Sequence, residues 1–221
     1  MHLVLIGAQD LGEALLGLAT RAGHDVVMVE PDSGRAHHCA ETYDARVVQA
    51  DIGDDGVAEE ADLADAQAVI ATTGDDSANL MAMFLARESG TPMLATVANL
   101  PSHRGLFEKL GARVLVDPEV LVAQHLMDAA IHPETVDITT LPGHRQIIQV
   151  ALAEGAPLEE LTLREAEEQY LQKRMAVVAR ERDERVGFPD PETRLKAGDL
   201  LTVLSLSPAT QKDLALFTGR G

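Results

Sequence analysis

Short apolar runs alternate with amphipathic segments along the first part of the chain. The amphipathic segments have helical spacing over residues 11–22, 33–43, 76–89 and 101–110. The apolar runs around them are HLVLI, DVVMV, RVVQ, QAVIA, MLATV and RVLV. Continuous apolar strands separated by helices are typical of a parallel sheet that helices cover on both faces. The pattern therefore predicts a doubly wound α/β domain.

The first apolar run leads directly into a turn framed by glycines. Gly7 and Gly12 stand where the first and third glycines of a G-x-G-x-x-G fingerprint belong, and Gln9 replaces the middle one. These glycines permit a sharp turn, a close approach to a pyrophosphate and tight packing of the next helix. We predict a Rossmann-type fold with a nucleotide-binding turn whose phosphate-binding part is weakened at Gln9.

The pattern changes after a helix predicted over residues 118–131. The pair His132-Pro133 ends this helix, because a residue before proline is displaced from the helical conformation. The later apolar runs are RQIIQVAL, RMAVVARE, RVGF and LLTVLSL, with a helical patch over 163–170. Their hairpin-length connections predict a small α+β domain with mostly antiparallel strands. We therefore expect two domains, residues 1–133 and 134–221.

The composition narrows the expected location and partners. The 221 residues are 46% hydrophobic and 3% aromatic, with a formal net charge of −18. Such a surface repels nucleic acid and anionic lipid, so neither is a predicted partner. No apolar run is long enough for a membrane span and no signal peptide precedes the first strand, which predicts a cytoplasmic protein without direct membrane insertion. The single cysteine, Cys39, fits a reducing compartment.

Five segments together resemble a known family over nearly the whole chain. In the first half they are ADIGDD at 50–55, DAQAVIATTGDDSANLMAMFLA at 65–86 and KLGARVLVDPEVLVAQHLM at 109–127. In the second half they are APLEELTLREAE at 156–167 and FPDPETRLKAGDLLTVL at 188–204. With these segments the chain resembles Trk/Ktr-type potassium-uptake regulatory subunits, which have an N-terminal RCK (regulator of potassium conductance) domain and a C-terminal TrkA-C domain.

The resemblance implies a gating subunit without chemistry of its own. Such subunits form dimers through the helix at 118–131, and the dimers assemble into a ring, which we expect to be octameric. The ring lies on the cytoplasmic face of the membrane, bound to a membrane-embedded potassium transporter or channel subunit. Nucleotide exchange changes the shape of the ring and so controls ion flow, which requires a ligand that binds the two shapes with different affinity.

Two other functions stay open at this point. One is an NAD-dependent oxidoreductase, for which His103 is the only candidate acid/base residue. No Ser-His-Asp spacing, Tyr-x-x-x-Lys motif or other catalytic set favours an enzyme, and no metal site is predicted. The other is an RCK-type regulator of a different ion or solute transporter.

The resemblance and the fingerprint together give a set of candidate nucleotide-binding residues. Glu30 ends the second strand, where a carboxylate accepts hydrogen bonds from ribose hydroxyls and repels a 2′-phosphate. Asp51 and Ile52 follow the third strand, beside the expected adenine ring. The glycine turn and the end of the fourth strand supply the remaining candidates, which are Gly7, Ala8, Gln9, Asp10, Leu11, Gly12, Thr72, Thr73, Gly74 and, in the following helix, Asn79. We expect Asp75 and Asp76 to cap that helix.

Asp10 affects which nucleotide is expected. Many relatives that respond to nucleoside triphosphates have an arginine at this position, and a carboxylate facing a polyphosphate weakens binding. The expected ligand is an adenine nucleotide. AMP, NAD(H) held by its adenosine half, and ADP or ATP stay open, with the triphosphate disfavoured by Asp10.

Overall fold

The computed structural model describes residues 1–141, 143–171 and 174–219. The chain divides into two compact units, Met1–Val120 and Leu121–Gly221. The division falls within one helix, whereas the sequence places the domain boundary at the end of that helix. The boundary at residue 133 stays a prediction.

The first unit contains a parallel sheet of six strands in the order β3-β2-β1-β4-β5-β6. The strands are β1 (His2–Ile6), β2 (Asp25–Val29), β3 (Arg46–Val48), β4 (Ala68–Ala71), β5 (Met93–Ala98) and β6 (Arg113–Val116). Its helices are α1 (Asp10–Arg21), α2 (Ser33–Thr42), α3 (Val57–Glu60), α4 (Asp76–Glu88) and α5 (Arg104–Lys109), the last preceded by a 3-10 turn at Pro101–His103. This topology confirms the predicted Rossmann-type fold.

The central strands β1, β2 and β4 of the first unit are mostly buried on both faces, whereas the edge strand β6 is partly exposed. Along β1, Val4 and Ile6 join one apolar cluster, while Leu5 joins a second cluster with Leu16 of α1 and Met28 of β2. Burial on both faces explains why the strands read as uninterrupted apolar runs in the sequence. The strand order reverses beside β1, since β1 pairs with both β2 and β4. Open α/β sheets bind ligands at such a reversal, outside the carboxyl ends of the strands.

Helix α6 (Pro118–Ile131) spans the division between the units and has the bounds expected from the sequence. Its side chains are mostly apolar, yet only Asp128 is buried. Large apolar side chains along it are exposed, and these are Val120, Leu121, Val122, Leu126, Met127 and Ile131. At 3.6 residues per turn these positions lie around the helix, and we refer to this set as the α6 apolar surface. Among helices within the described ranges, none combines the length and apolar character required to span a membrane.

The second unit contains an antiparallel sheet of five strands in the order β10-β9-β11-β8-β7. The strands are β7 (Thr135–Leu141), β8 (Arg145–Ala151), β9 (Met175–Arg182), β10 (Arg185–Gly187) and β11 (Leu200–Ser205). Helix α7 (Leu163–Ala166) continues into a π-helical turn at Glu167–Leu171, and helix α8 (Gln211–Thr218) follows β11. The antiparallel pairing agrees with the prediction.

Two elements of the second unit are missing from the sequence-based prediction. Strand β7 lies where a connector was expected. The sequence does not indicate this strand, because only Ile138 of it is buried and the neighbours of Ile138 are polar. Helix α8 was not predicted because it is short. Its buried side chains, Leu214 and Phe217, pack in the core with residues of β8 and β11.

A buried ion pair fixes the turn before β11. The Asp199 carboxylate is 1% exposed and accepts hydrogen bonds from the Arg182 guanidinium at 2.6 Å and from the Lys196 backbone N–H at 2.9 Å. Burial alone raises the pKa of Asp199, but these hydrogen bonds outweigh it and leave the pKa below its ordinary value. The Gly-Asp pair that resembles the TrkA-C signature therefore has a structural role.

Candidate functional site

The glycine turn after β1 is determined by steric contacts within the chain. Gly7 has a φ of +93°, a conformation that favours glycine, and a Cβ there would lie 2.7 Å from Thr73 Cγ2. A Cβ on Gly12 would lie 1.8 Å from the Gly7 carbonyl oxygen. Helix α1 can therefore approach the turn only with glycine at position 12, which is the packing role of the third fingerprint glycine.

A cleft of about 350 Å³ lies at the carboxyl ends of the strands around β1. It is lined by Ile6, Gly7, Gln9, Val29, Pro31, Ala50, Asp51, Ile52, Thr73, Gly74, Asp75 and Ala78. These residues come from the ends of β1, β2 and β4, the loop after β3 and the start of α4. The cleft thus occupies the strand-order reversal, where ligands of open α/β sheets bind.

The cleft brings together only part of the predicted site. Predicted residues that line it are Gly7, Gln9, Asp51, Ile52, Thr73 and Gly74. Predicted residues outside its lining are Ala8, Asp10, Leu11, Gly12, Glu30, Thr72 and Asn79. Further apolar residues in the lining were not predicted, and these are Ile6, Val29, Pro31, Ala50 and Ala78. All but Ala78, which lies in α4, stand at or just after the end of a strand, and that position was a usable indication. Ligand contacts at all of these positions stay predictions.

Glu30 is buried and bonded to its own chain. One carboxylate oxygen accepts the Ala8 backbone N–H at 2.6 Å, and the other accepts the Asp32 N–H at 2.9 Å and the Arg35 guanidinium at 2.7 Å. Burial by itself raises the pKa of this carboxyl, but the hydrogen bonds outweigh it and the pKa lies below its ordinary value. Because Arg35 balances the charge of Glu30, like-charge repulsion of a 2′-phosphate is weaker than the sequence indicated.

Asn79 positions the loop between β4 and α4. Its side chain is fully buried, and its Oδ1 accepts the Thr73 backbone N–H at 2.9 Å and the Thr73 hydroxyl at 2.8 Å. Its Nδ2 donates to the Thr73 carbonyl at 2.9 Å. Asn79 therefore holds Thr73 at the cleft from within the core.

The two acidic residues at the start of α4 differ in role. Asp75 caps the helix as predicted, since its carboxylate accepts the Ser77 N–H at 2.8 Å. The same prediction is wrong for Asp76, whose carboxylate accepts the Asn99 N–H at 2.7 Å and the Leu100 N–H at 3.0 Å. Asp76 also lies 2.8 Å from His103 Nδ1. Burial raises its pKa, but these contacts leave the pKa below its ordinary value. Asp76 thus ties α4 to the loop after β5.

Gln9 connects the two loops that border the cleft. Its side-chain Oε1 accepts the Gly74 backbone N–H at 3.1 Å, which joins the β1–α1 loop to the β4–α4 loop. Among the residues that the structure describes, the lining includes the carboxylates of Asp51 and Asp75 and no Lys, Arg or His. The cleft therefore has apolar side chains beside β2 and β3, and its ionisable lining residues are acidic. The Gln9 side-chain amide crosses it at the fingerprint turn.

Family profiles and curated relatives match both halves of the chain. The TrkA-N domain matches residues 3–118, and the TrkA-C domain matches residues 147–215. A curated relative from Methanothermobacter thermautotrophicus, a Trk system potassium uptake protein TrkA homolog, is 26% identical over 99% of this chain and 100% of its own length.

Solved structures show the same fold. A structure described as the GsuK channel bound to NAD covers 98% of this chain with a TM-score of 0.60 and 20% identity. Another, GsuK bound to ADP, covers 60% of this chain with a TM-score of 0.52 and 22% identity. Our chain spans 38% and 35% of those two chains, so the likeness concerns a part of each. The profile matches and the six-stranded Rossmann-type sheet lead to one assignment: the chain belongs to the TrkA-N domain family and carries a TrkA-C domain after it.

Proposed function

We propose that this chain is a nucleotide-responsive regulatory subunit of a membrane potassium-uptake system or channel. The observation that carries the proposal is the cleft at the strand-order reversal of a TrkA-N domain that is followed by a TrkA-C domain. The name of the relative that matches over its whole length supports potassium uptake as the process. We further propose that residues 1–133 bind the nucleotide and that residues 134–221 form the regulatory domain.

The proposed ligand is an adenine nucleotide. The apolar side chains of Val29, Ala50 and Ile52 in the lining suit a purine ring, and GsuK structures described with NAD and with ADP support this ligand class. Within the described part of the chain, the lining has two carboxylates and no cationic side chain, so a triphosphate would meet repulsion without a neutralising ion. AMP and NAD(H) are therefore favoured over ATP.

The proposed mechanism works through assembly. Six large apolar side chains of α6 are exposed, and exposed apolar clusters mark interaction sites, so we propose that the α6 apolar surface forms a homodimer interface and that dimers build a ring, which we take to be octameric. A nucleotide shifts such a ring between shapes only by binding one shape more tightly. The membrane-embedded partner then holds the otherwise cytoplasmic subunit at the inner face of the membrane.

We propose no enzymatic step for this subunit. His103, the acid/base candidate for an oxidoreductase, lies against Asp76 and is outside the lining of the cleft. General acid–base catalysis requires the group to reach the reacting atom within hydrogen-bond distance. This position favours a structural role for His103 in the loop after β5.

Potassium uptake in the native host tests the proposal. Deleting the gene should lower the rate of rubidium uptake, and returning the wild-type gene should restore that rate. Uptake unchanged by the deletion under potassium limitation would contradict the proposed role. A regulator of another transporter would instead change the flux of a different ion, which the same cells can report.

A further inference from the structure

The residue in place of the middle fingerprint glycine lies across one end of the cleft. Gln9 lines the cleft, and its Oε1 accepts the Gly74 N–H at 3.1 Å across 65 residues of sequence. The fit is close, because a Cβ on Gly74 would lie 3.3 Å from that oxygen. The side chain of Gln9 thus connects the two loops between which a phosphate group would have to lie.

The position of Gln9 determines what its side chain obstructs. In the G-x-G-x-x-G turn, the middle residue is glycine so that the backbone can approach the pyrophosphate of a dinucleotide. A side chain at this position stands between that backbone and the phosphates. The neighbouring Ala8 N–H is already bonded to the Glu30 carboxylate at 2.6 Å, so it is engaged within the chain.

Negative charge also disfavours phosphate groups at this end of the cleft. Asp10 and Glu13 lie in the first turn of α1, where carboxylates offset the positive end of the helix dipole that would otherwise favour a phosphate. Asp75 adds a further carboxylate to the lining beside Gly74. The end of the cleft that the Gln9 side chain crosses is therefore unfavourable for two linked phosphates, because of both the limited space and the negative charge.

The side of the cleft formed after β2 and β3 is free of the Gln9 side chain, although Asp51 there contributes the second carboxylate of the lining. It is bordered by Val29 at the end of β2, by Pro31, and by Ala50 and Ile52 after β3, which together form an apolar wall. A purine ring and its ribose would lie here without meeting Gln9. The two ends of the cleft therefore differ in what they accept.

We propose that Gln9 is a specificity-determining residue which restricts this cleft to adenosine and AMP and excludes ligands that contain a pyrophosphate. This inference rests on the proposed nucleotide-binding function and narrows its ligand. The Gln9–Gly74 hydrogen bond holds the amide over the pyrophosphate position. Replacing Gln9 with glycine restores the fingerprint and opens that position.

Calorimetric titrations of the full chain with AMP, ADP and NADH test this role. In the wild type, AMP should bind at least about tenfold more tightly than NADH or ADP. Gln9→Gly should tighten NADH and ADP by about tenfold while changing AMP by less than about threefold, and Gln9→Ala should give a smaller gain. Gln67→Ala is the matched control, because it removes another glutamine that accepts a backbone N–H, from His2, away from the cleft. It should leave all three affinities unchanged.

The outcomes separate this inference from the proposed function. If AMP binds but the ratio of AMP to NADH affinity is the same in the wild type and both Gln9 variants, the role of Gln9 is wrong and nucleotide binding stands. If neither the wild type nor a folded Gln9→Gly variant binds any of the three, both are wrong. A thermal melt of each variant establishes that it is folded.

Discussion

The two fingerprint glycines have different steric requirements. Gly7 is needed for its positive φ as well as for space, whereas Gly12 is needed because α1 presses on the Gly7 carbonyl oxygen. Neither requirement depends on a bound ligand. These glycines therefore account for the turn with or without a ligand, and the nucleotide site is inferred from the cleft.

Substitution of Gly12 gives a direct test of this packing. Gly12→Ala places a Cβ 1.8 Å from the Gly7 oxygen, so α1 must move, and we expect the free energy of unfolding to fall by about 3 kcal/mol. Gly105→Ala, also in a helix, meets no atom within 4 Å and should raise it by up to about 1 kcal/mol through helix propensity. Urea unfolding measures both. Equal stability of Gly12→Ala and the wild type would contradict the packing described above.

Asp199 makes the stability of the second unit sensitive to acid. Because its folded-state pKa is lowered, its carboxylate stabilises the fold above the ordinary pKa of 3.8, and this contribution is lost as pH falls through the folded-state pKa. Asp199→Asn should lower the free energy of unfolding by about 2 kcal/mol at pH 7, since a charged hydrogen bond to Arg182 is lost. The difference from the wild type should shrink as the pH is lowered to about 3.

Glu192 provides the control for that prediction. It pairs with Arg164 at 2.8 Å, but both side chains are more than half exposed. Glu192→Gln should change the free energy of unfolding by less than about 0.5 kcal/mol at any pH, because exposed ion pairs contribute little. A difference between Asp199→Asn and the wild type that stays constant across the titration would rule out the proposed pH dependence.

At the scale of elements, helix α6 has exposed apolar side chains that packing within the described residues does not account for. It is rich in apolar side chains, but the α6 apolar surface is exposed. Burying part of this surface against a second copy removes apolar area from water, which is the main driving force of association. Helix α6 is thus the element on which the proposed dimer depends.

A charge on this helix should weaken the dimer. Leu126 is 64% exposed, and Leu126→Asp should raise the dimer dissociation constant by at least about tenfold, because a carboxylate would enter the apolar interface. Leu18→Asp on α1 is the matched control, since Leu18 is 60% exposed and lies on a different helix. Light scattering over a concentration series measures both. Equal dimer affinities for the two variants would show that α6 is not the interface.

The elements differ in how strongly their own sequence indicates them. Parallel strands with both faces buried, such as β1 and β4, are visible as apolar runs because burial alone determines their composition. The Gln9–Gly74 bond joins residues 65 positions apart, and no local pattern encodes it. Strand β7 was missed for a similar reason, because its place in the sheet comes from pairing with β8 and not from its own polar-rich sequence.

At the scale of the whole molecule, the proposed regulatory role requires that ligand binding and the shape of the assembly are coupled. The cleft lies in the first unit and most of α6 in the second, so a regulatory role requires that nucleotide binding and assembly shape depend on each other. Thermodynamic linkage makes this dependence reciprocal, so a nucleotide that favours one shape binds that shape more tightly. A subunit that binds nucleotide without any change of shape would be a scaffold and not a switch.

Small-angle X-ray scattering of the assembled full chain during an AMP titration tests the central claim most directly. We expect the scattering profile to change between two end states, with a midpoint that equals the dissociation constant from calorimetry under the same conditions. The mass from forward scattering should stay that of an oligomer throughout. Saturation with AMP by calorimetry, accompanied by an unchanged scattering profile, would contradict a nucleotide-driven change in the assembly.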